Sequence, residues 1–239
     1  QVKYIIERDL RFHKNYRDIY KKNKIKNIFI ADEVKPFKIK KLEEIHAVSV
    51  GWIDNNICNI NETIEFLCRQ NIYVHIFLSN KTMLKEVPYL TELKKVYPNH
   101  LIIKIGVFGD SLKNEISKYH LGISPHQVHE SYERLNYKSS YYAHCSSNRV
   151  ADFISYDLVN LTSKKYIYTN YLIDKFGGKK IFYEDLFLYK ENLKKVIISK
   201  YNNKDDNKYL QNKNFFDDEY KSLKLLNFIQ SNFKDNLVI

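Results

Sequence analysis

Residues 100–126 read HLIIKIGVFGDSLKNEISKYHLGISPH. Leu101 to Ile105 is a short run, nearly continuous in apolar character, that stops at Gly106. Leu121-Gly122-Ile123-Ser124 is a second, and it stops at Pro125. Between them Leu112, Ile116 and Tyr119 recur at i, i+4 and i+7, the spacing of one helix face. Two such runs around a helical stripe predict buried parallel strands joined by a crossover, because parallel strands are covered on both faces.

The same pattern extends in both directions. His46 to Val50 ends at Gly51, Tyr73 to Leu78 is β-branched and aromatic, and Leu158 to Thr162 ends near Ser163. A weaker run is Ile181-Phe182-Tyr183. Ile60, Ile64, Leu67 and Cys68 share a helix face, with Asn59 or Asn61 as its cap. Val150, Phe153 and Ile154 form another stripe, with Ser146 or Ser147 as cap. Ile167, Tyr171 and Phe176 lead to Gly177-Gly178, a C-cap signal. Strands alternating with helices predict an α/β fold: a Rossmann-like, doubly wound parallel sheet with flanking helices. Ligands of such sheets bind beyond the carboxyl ends of the strands, where Gly51, Gly106, Gly109 and Pro125 fall.

The ends of the chain read differently. Glu7 to Lys22 is a charged helix candidate, Asn27 to Ala31 a short strand, and Asp32 to Lys41 a lysine-rich linker carrying Pro36. A helix and one strand cannot bury a core alone, so they call for a partner. Tyr201 to Asn214 reads as a polar loop. Asp217 to Phe233 reads as a closing helix, with Tyr220, Leu223, Leu226 and Phe228 near one face. The expected division is 1–41, the end of a truncated or reduced N-terminal domain plus linker; 42–195, the sheet domain; and 196–239, loop and helix.

The 239 residues are 44 % hydrophobic, enough for a sizeable core. No run of 18 apolar residues exists to span a membrane, and the first residues lack a signal-like apolar stretch. The chain opens at Gln1, as a trimmed or internal fragment does. Cys58, Cys68 and Cys145 are few and irregularly spaced, which fits reduced thiols and a cytoplasmic location. The net charge of +11 implies an anionic partner. The lysines are spread along the chain among Asn, Ile and Tyr, so the charge marks no particular site. Charge and 15 % aromatics leave nucleic-acid binding as an alternative, without a recognised basic-aromatic motif to carry it.

The order of these pieces over residues 25–195 resembles the C-terminal, nucleotide-sugar-binding domain of GT-B glycosyltransferases of the group 1 and 4 kind. HAVSVGWID (46–54) is similar to the first strand and Gly-turn after their interdomain linker. NETIEFLCRQNIYVHIFL (61–78) is similar to the next helix and strand. Residues 100–126 resemble the strand, loop, short helix and strand that come after these in the family. SSNRVADFISYDLVNLTSKKYIYTNYLIDKFGG (146–178) resembles the segment built on the helix beside the donor nucleotide. NIFIADEVKPF (27–37) resembles the last N-terminal-domain strand entering the hinge. Tyr156-Asp157-Leu158-Val159 stands where the family has a Gly-x-Pro-Val element, and the paired glutamates of many retaining members have no clean counterpart.

The resemblance implies transfer from a nucleotide-diphosphate sugar to a glycan, lipid or other acceptor, with no bound metal. It assigns no catalytic base, which such enzymes draw from the other half. It also implies a partner chain or second copy supplying the missing domain; the net charge admits peripheral association with the inner face of an anionic membrane. The alternative is a non-catalytic partner subunit. For the donor it points to Gly51, where a missing Cβ lets a diphosphate approach the backbone. Asn148 and Arg149 open a helix whose N-terminus attracts phosphate. Asp152 stands where the family has a carboxylate for the ribose hydroxyls. His126, Gly109 and Lys164 come after strand ends where donor contacts gather, with Asp110 and Lys165 as neighbours. Tyr141 and Tyr142, in a long loop from Gln127 to Ser146, are stacking candidates. His126-x-x-His129 with His144-Cys145 matches no standard zinc spacing, so no metal is expected.

Overall fold

The computed structural model describes residues 4–7, 22, 24, 26–29, 39–51, 60–124, 148–202, 225, 227, 228 and 231. β1 (Tyr4–Glu7) and β2 (Lys26–Phe29) pair in parallel as a two-stranded sheet. The first is a strand where a helix was expected to begin at Glu7. The second lies slightly ahead of the expected Asn27–Ala31. Most of the expected helix and the linker lie outside the described residues. So do the polar loop beyond Asn202 and most of the closing helix, of which residues 225, 227, 228 and 231 are helical.

The main sheet is six-stranded and all parallel. Its strands are β3 (His46–Val50), β4 (Tyr73–Leu78), β5 (Leu101–Ile105), β6 (Leu121–Ile123), β7 (Val159–Thr162) and β8 (Lys179–Phe182). Their order is β5-β4-β3-β6-β7-β8, that of a doubly wound sheet, and it reverses between β3 and β6.

Alternation along the strands builds two cores. Ala47, Val74, Ile76, Leu121, Ile123, Val159 and Leu161 fill one face. Helices α1 (Asn61–Arg69), α2 (Lys81–Glu86) and α3 (Pro88–Val96) cover it through Ile64, Leu67, Met83, Leu90 and Leu93. Val48 and Phe77 face the other way, against Ile116, Tyr119 and Phe153 of the α4 (Gly109–Ile116) and α5 (Asn148–Ser155) layer. α6 (Ile167–Lys175) joins that layer, its Ile173 meeting Gly178 beside Ile154 of α5. α7 (Tyr183–Tyr189) and α8 (Leu193–Asn202) return to the first face through Leu186, Leu193 and Ile197. Right-handed crossovers require the helices to change face where the strand order reverses.

Three local expectations shift. The cap of α1 is Ile60, with no side-chain hydrogen bond, rather than an asparagine. The expected stripe Ile167/Tyr171 of α6 faces outward, at 61 % and 48 % exposure, and Tyr168, Thr169, Leu172 and Ile173 are its buried face. This helix carries apolar side chains on two faces, so periodicity offered both and packing chose the other. Tyr183, expected in a strand, begins α7. α2 and α3 add two helices beyond those expected, although Asn80 caps the first through Met83 N–H at 3.0 Å and Pro88 opens the second.

The amino edge of the sheet is tied by a hydrogen-bonded chain. Lys104 Nζ donates to Glu115 Oε2 at 2.7 Å, and Tyr119 Oη donates to the same oxygen at 3.0 Å. Tyr119 Oη therefore accepts from His75 Nδ1–H at 3.1 Å, and with that ring neutral its Nε2 accepts from His46 Nδ1–H at 2.8 Å. Only neutral His75 satisfies this order. Burial holds its pKa down to about 3 and that of His120 to about 4, and it also lowers His46. Lys41 Nζ donates to Ser117 O at 2.9 Å and Tyr156 O at 2.6 Å, holding the ends of α4 and α5. Burial lowers its pKa to about 8.

Candidate functional site

The opposite, carboxyl edge is where the candidate residues lie. β3 ends at Gly51, whose φ of 85° is left-handed and whose N–H donates to Phe77 O at 2.7 Å. A Cβ here would collide with the Arg149 guanidinium: Nη2 fills its space and Cζ lies 3.3 Å away. Two residues far apart in sequence therefore meet where the strand order reverses. Arg149 belongs to the first turn of α5, which holds no acidic side chain to offset the partial positive charge of the helix end. α5 is seated by its Phe153 ring, which occupies the space above Gly122 of β6.

Asp152 is exposed on α5, one turn beyond Arg149. The buried Tyr156 hydroxyl is pushed up to about 12, first by burial, then by Asp152 and by Asp110 of α4. Asp110 in the first turn of α4 and Asp152 in mid-α5 thus both act on this one hydroxyl. Gly109 opens α4 with φ 56° and open space around its α-carbon. Phe108 precedes it in extended conformation and is 61 % exposed, an aromatic at the mouth of the edge that no sequence pattern singles out.

Lys164 comes just after β7, but its neighbours hold it. Its N–H lies 3.1 Å from both carboxylate oxygens of Glu184, and its Nζ donates to Asp185 Oδ1 at 2.6 Å, which raises its pKa. Ser163 Oγ donates to Glu184 at 2.5 Å. This clamp fixes the loop after β7 to the start of α7, and no periodicity in the sequence signals it. Asn148 begins α5 by its backbone. Its side chain, His126, Trp52, the Gln127–Ser146 loop with its tyrosines and histidines, Cys58 and Cys145 lie outside the described residues. Cys68 is a buried free thiol whose pKa burial pushes up to about 12. Among the described residues no histidine, cysteine and carboxylate cluster is placed to hold a metal ion, and no helix is long and apolar enough to cross a membrane.

No family model and no curated protein matches the sequence. Solved structures do match its fold. "Crystal Structure of TarM" aligns with a TM-score of 0.56 at 14 % identity, over 94 % of this chain and 43 % of that one. "WaaG, a glycosyltransferase involved in lipopolysaccharide biosynthesis" aligns with a TM-score of 0.48 at 14 % identity, over 81 % and 53 %. The chain spans about half the length of these structures. Its six-stranded parallel sheet with flanking helices is the Rossmann-like fold of GT-B glycosyltransferases.

Proposed function

We propose that this chain binds a nucleotide-diphosphate sugar and forms the donor half of a glycosyltransferase. The observation that carries the reading is Arg149 laid over Gly51 at the reversal point of the sheet, on the first turn of α5. A diphosphate entering there meets a forked cation, the amino end of a helix and a Cβ-free turn. The same groups stabilise charge as it develops on the leaving diphosphate, with no metal required. Asp152 accepts from the ribose hydroxyls, and the carboxyl edge beside Phe108 receives the base. The acceptor, a glycan or a lipid-linked group, docks from a second domain or chain, which also brings the catalytic base.

Calorimetry with UDP, GDP, ADP and CMP and their sugars tests the reading. At least one is expected to bind below millimolar, and Arg149→Ala to weaken it at least tenfold. Failure of all to bind would remove the reading. A second reading is a donor-binding subunit that completes another chain. It is favoured by the small β1–β2 sheet, whose two described strands are too few to stand alone. Size-exclusion mass together with transferase assays separates the two: a monomer that transfers sugar rules out the second.

A further inference from the structure

Three buried oxygens on one face of the sheet lack a hydrogen-bond partner: Ser124 Oγ, Thr162 Oγ1 and Asn160 Oδ1. Ser124 is 2 % exposed, and the other two are 0 % exposed. Gly122 pairs with Asn160 and Ile123 with Leu161 across β6 and β7. Ser124 continues that ladder, its N–H donating to Leu161 O at 3.2 Å, which sets it beside Thr162. Paired strands lie about 4.8 Å apart, so the two hydroxyls are neighbours. Asn160 lies one alternation below Thr162, and its Nδ2 donates to Leu158 O and Lys179 O, both at 3.3 Å. Those bonds fix the amide and leave its oxygen open.

The position of this trio relative to α5 is set by Phe153, which sits on Gly122. Ser124 is two strand residues further on, about 6.6 Å. Four residues back along α5 is about 6 Å. A crossover helix runs antiparallel to its strands, so Ser124 lies beneath the first turn of α5, the turn that carries Arg149. Buried hydroxyls without partners cost a fold free energy, and native structures pair them with ordered water or with a ligand.

We infer that Ser124 and Thr162, with Asn160 behind them, position the transferred sugar by hydrogen-bonding one of its hydroxyls. The inference rests on the donor-site reading above. Hydroxyl side chains donate and accept, and an amide oxygen only accepts, so the trio can match a sugar hydroxyl, which both donates and accepts. The diphosphate is met instead by Arg149 and the helix end. Both hydroxyls are shielded in the unliganded chain, so the sugar reaches them by displacing the side chains above.

The test compares the full chain with Ser124→Ala and Thr162→Val. UDP-glucose, UDP-N-acetylglucosamine, GDP-mannose, UDP and GDP are titrated by calorimetry, and unliganded melting temperatures are recorded. Each variant is expected to lose about five- to tenfold in affinity for the nucleotide sugar that the wild type binds, the worth of one hydrogen bond. Affinity for the matching nucleoside diphosphate stays within about twofold, and the unliganded melting temperature holds or rises because a partnerless oxygen is gone. Thr162→Ser, which keeps the oxygen, retains wild-type affinity. Unchanged sugar affinity, an equal loss for the nucleoside diphosphate, or a fall in melting temperature relieved by Thr162→Ser would each overturn the assignment while leaving the donor site standing. If the wild type binds neither these five probes nor ADP, CMP and their sugars below millimolar, the donor reading fails and the assignment with it.

Discussion

Gly51 combines a left-handed backbone with an occupied Cβ position, so it answers two constraints at once. Gly51→Ala is expected to cost about 1–2 kcal/mol from conformation alone. It also pushes Arg149 off the strand end, so nucleotide affinity should fall further than stability; urea melts and titration of the same variant check this. Gly122→Ala acts differently, since its backbone is ordinary but the Phe153 ring fills the space. Overpacking there should cost about 1–3 kcal/mol and loosen the seating of α5, visible as a lower urea midpoint. Gly51 is legible in the sequence because a glycine closing an apolar run has few other uses. That Arg149 rests on it is not, since nothing periodic links the two positions. Lys164 reads in the sequence as a free cation near phosphate, and the Glu184–Asp185 clamp that engages it comes from a helix whose start reads as a strand end.

At the scale of elements, the strands are legible and the helix faces less so. A buried parallel strand leaves a short apolar run with a glycine, serine or proline after it, and β3 to β7 each carry that mark. α6 is apolar on both sides, so only the sheet beneath it decides that Tyr168 and Leu172 turn inward. The hydrogen-bonded chain joins four elements, β3, β4, β5 and α4, and it makes stability depend on pH. His75 and His120 are held neutral in the fold, at about 3 and about 4, against an ordinary value near 6.5. Below pH ~6.5 the unfolded chain takes up protons that the folded chain refuses. Stability is therefore full above that pH and falls as pH drops toward 4, by up to about 1.4 kcal/mol per unit for each histidine. Urea denaturation at pH 7.5, 5.5 and 4.5 checks the slope. His75→Gln, which lacks the titrating ring, should flatten it.

At the scale of the whole molecule, the sheet is two halves joined along β3 and β6. Five residue pairs link β3 to β4 and five link β4 to β5, whereas β3 and β6 register through two, Ala47 with Leu121 and Val48 with Gly122. The crevice at their carboxyl ends spans the joint, with Gly51 on one half and α5 on the other. The division of the sequence into a sheet domain and two flanks says nothing of this joint, which appears only once the strands are ordered. The thin ladder has a kinetic consequence. Rare excursions from the native state should part the molecule there first, each half keeping its own hydrogen bonds. Amides of β6 should then exchange with deuterium sooner than those of β4. A nucleotide bridging Gly51 and α5 should slow that exchange more than any other in the sheet, fastening the two halves as a rivet does.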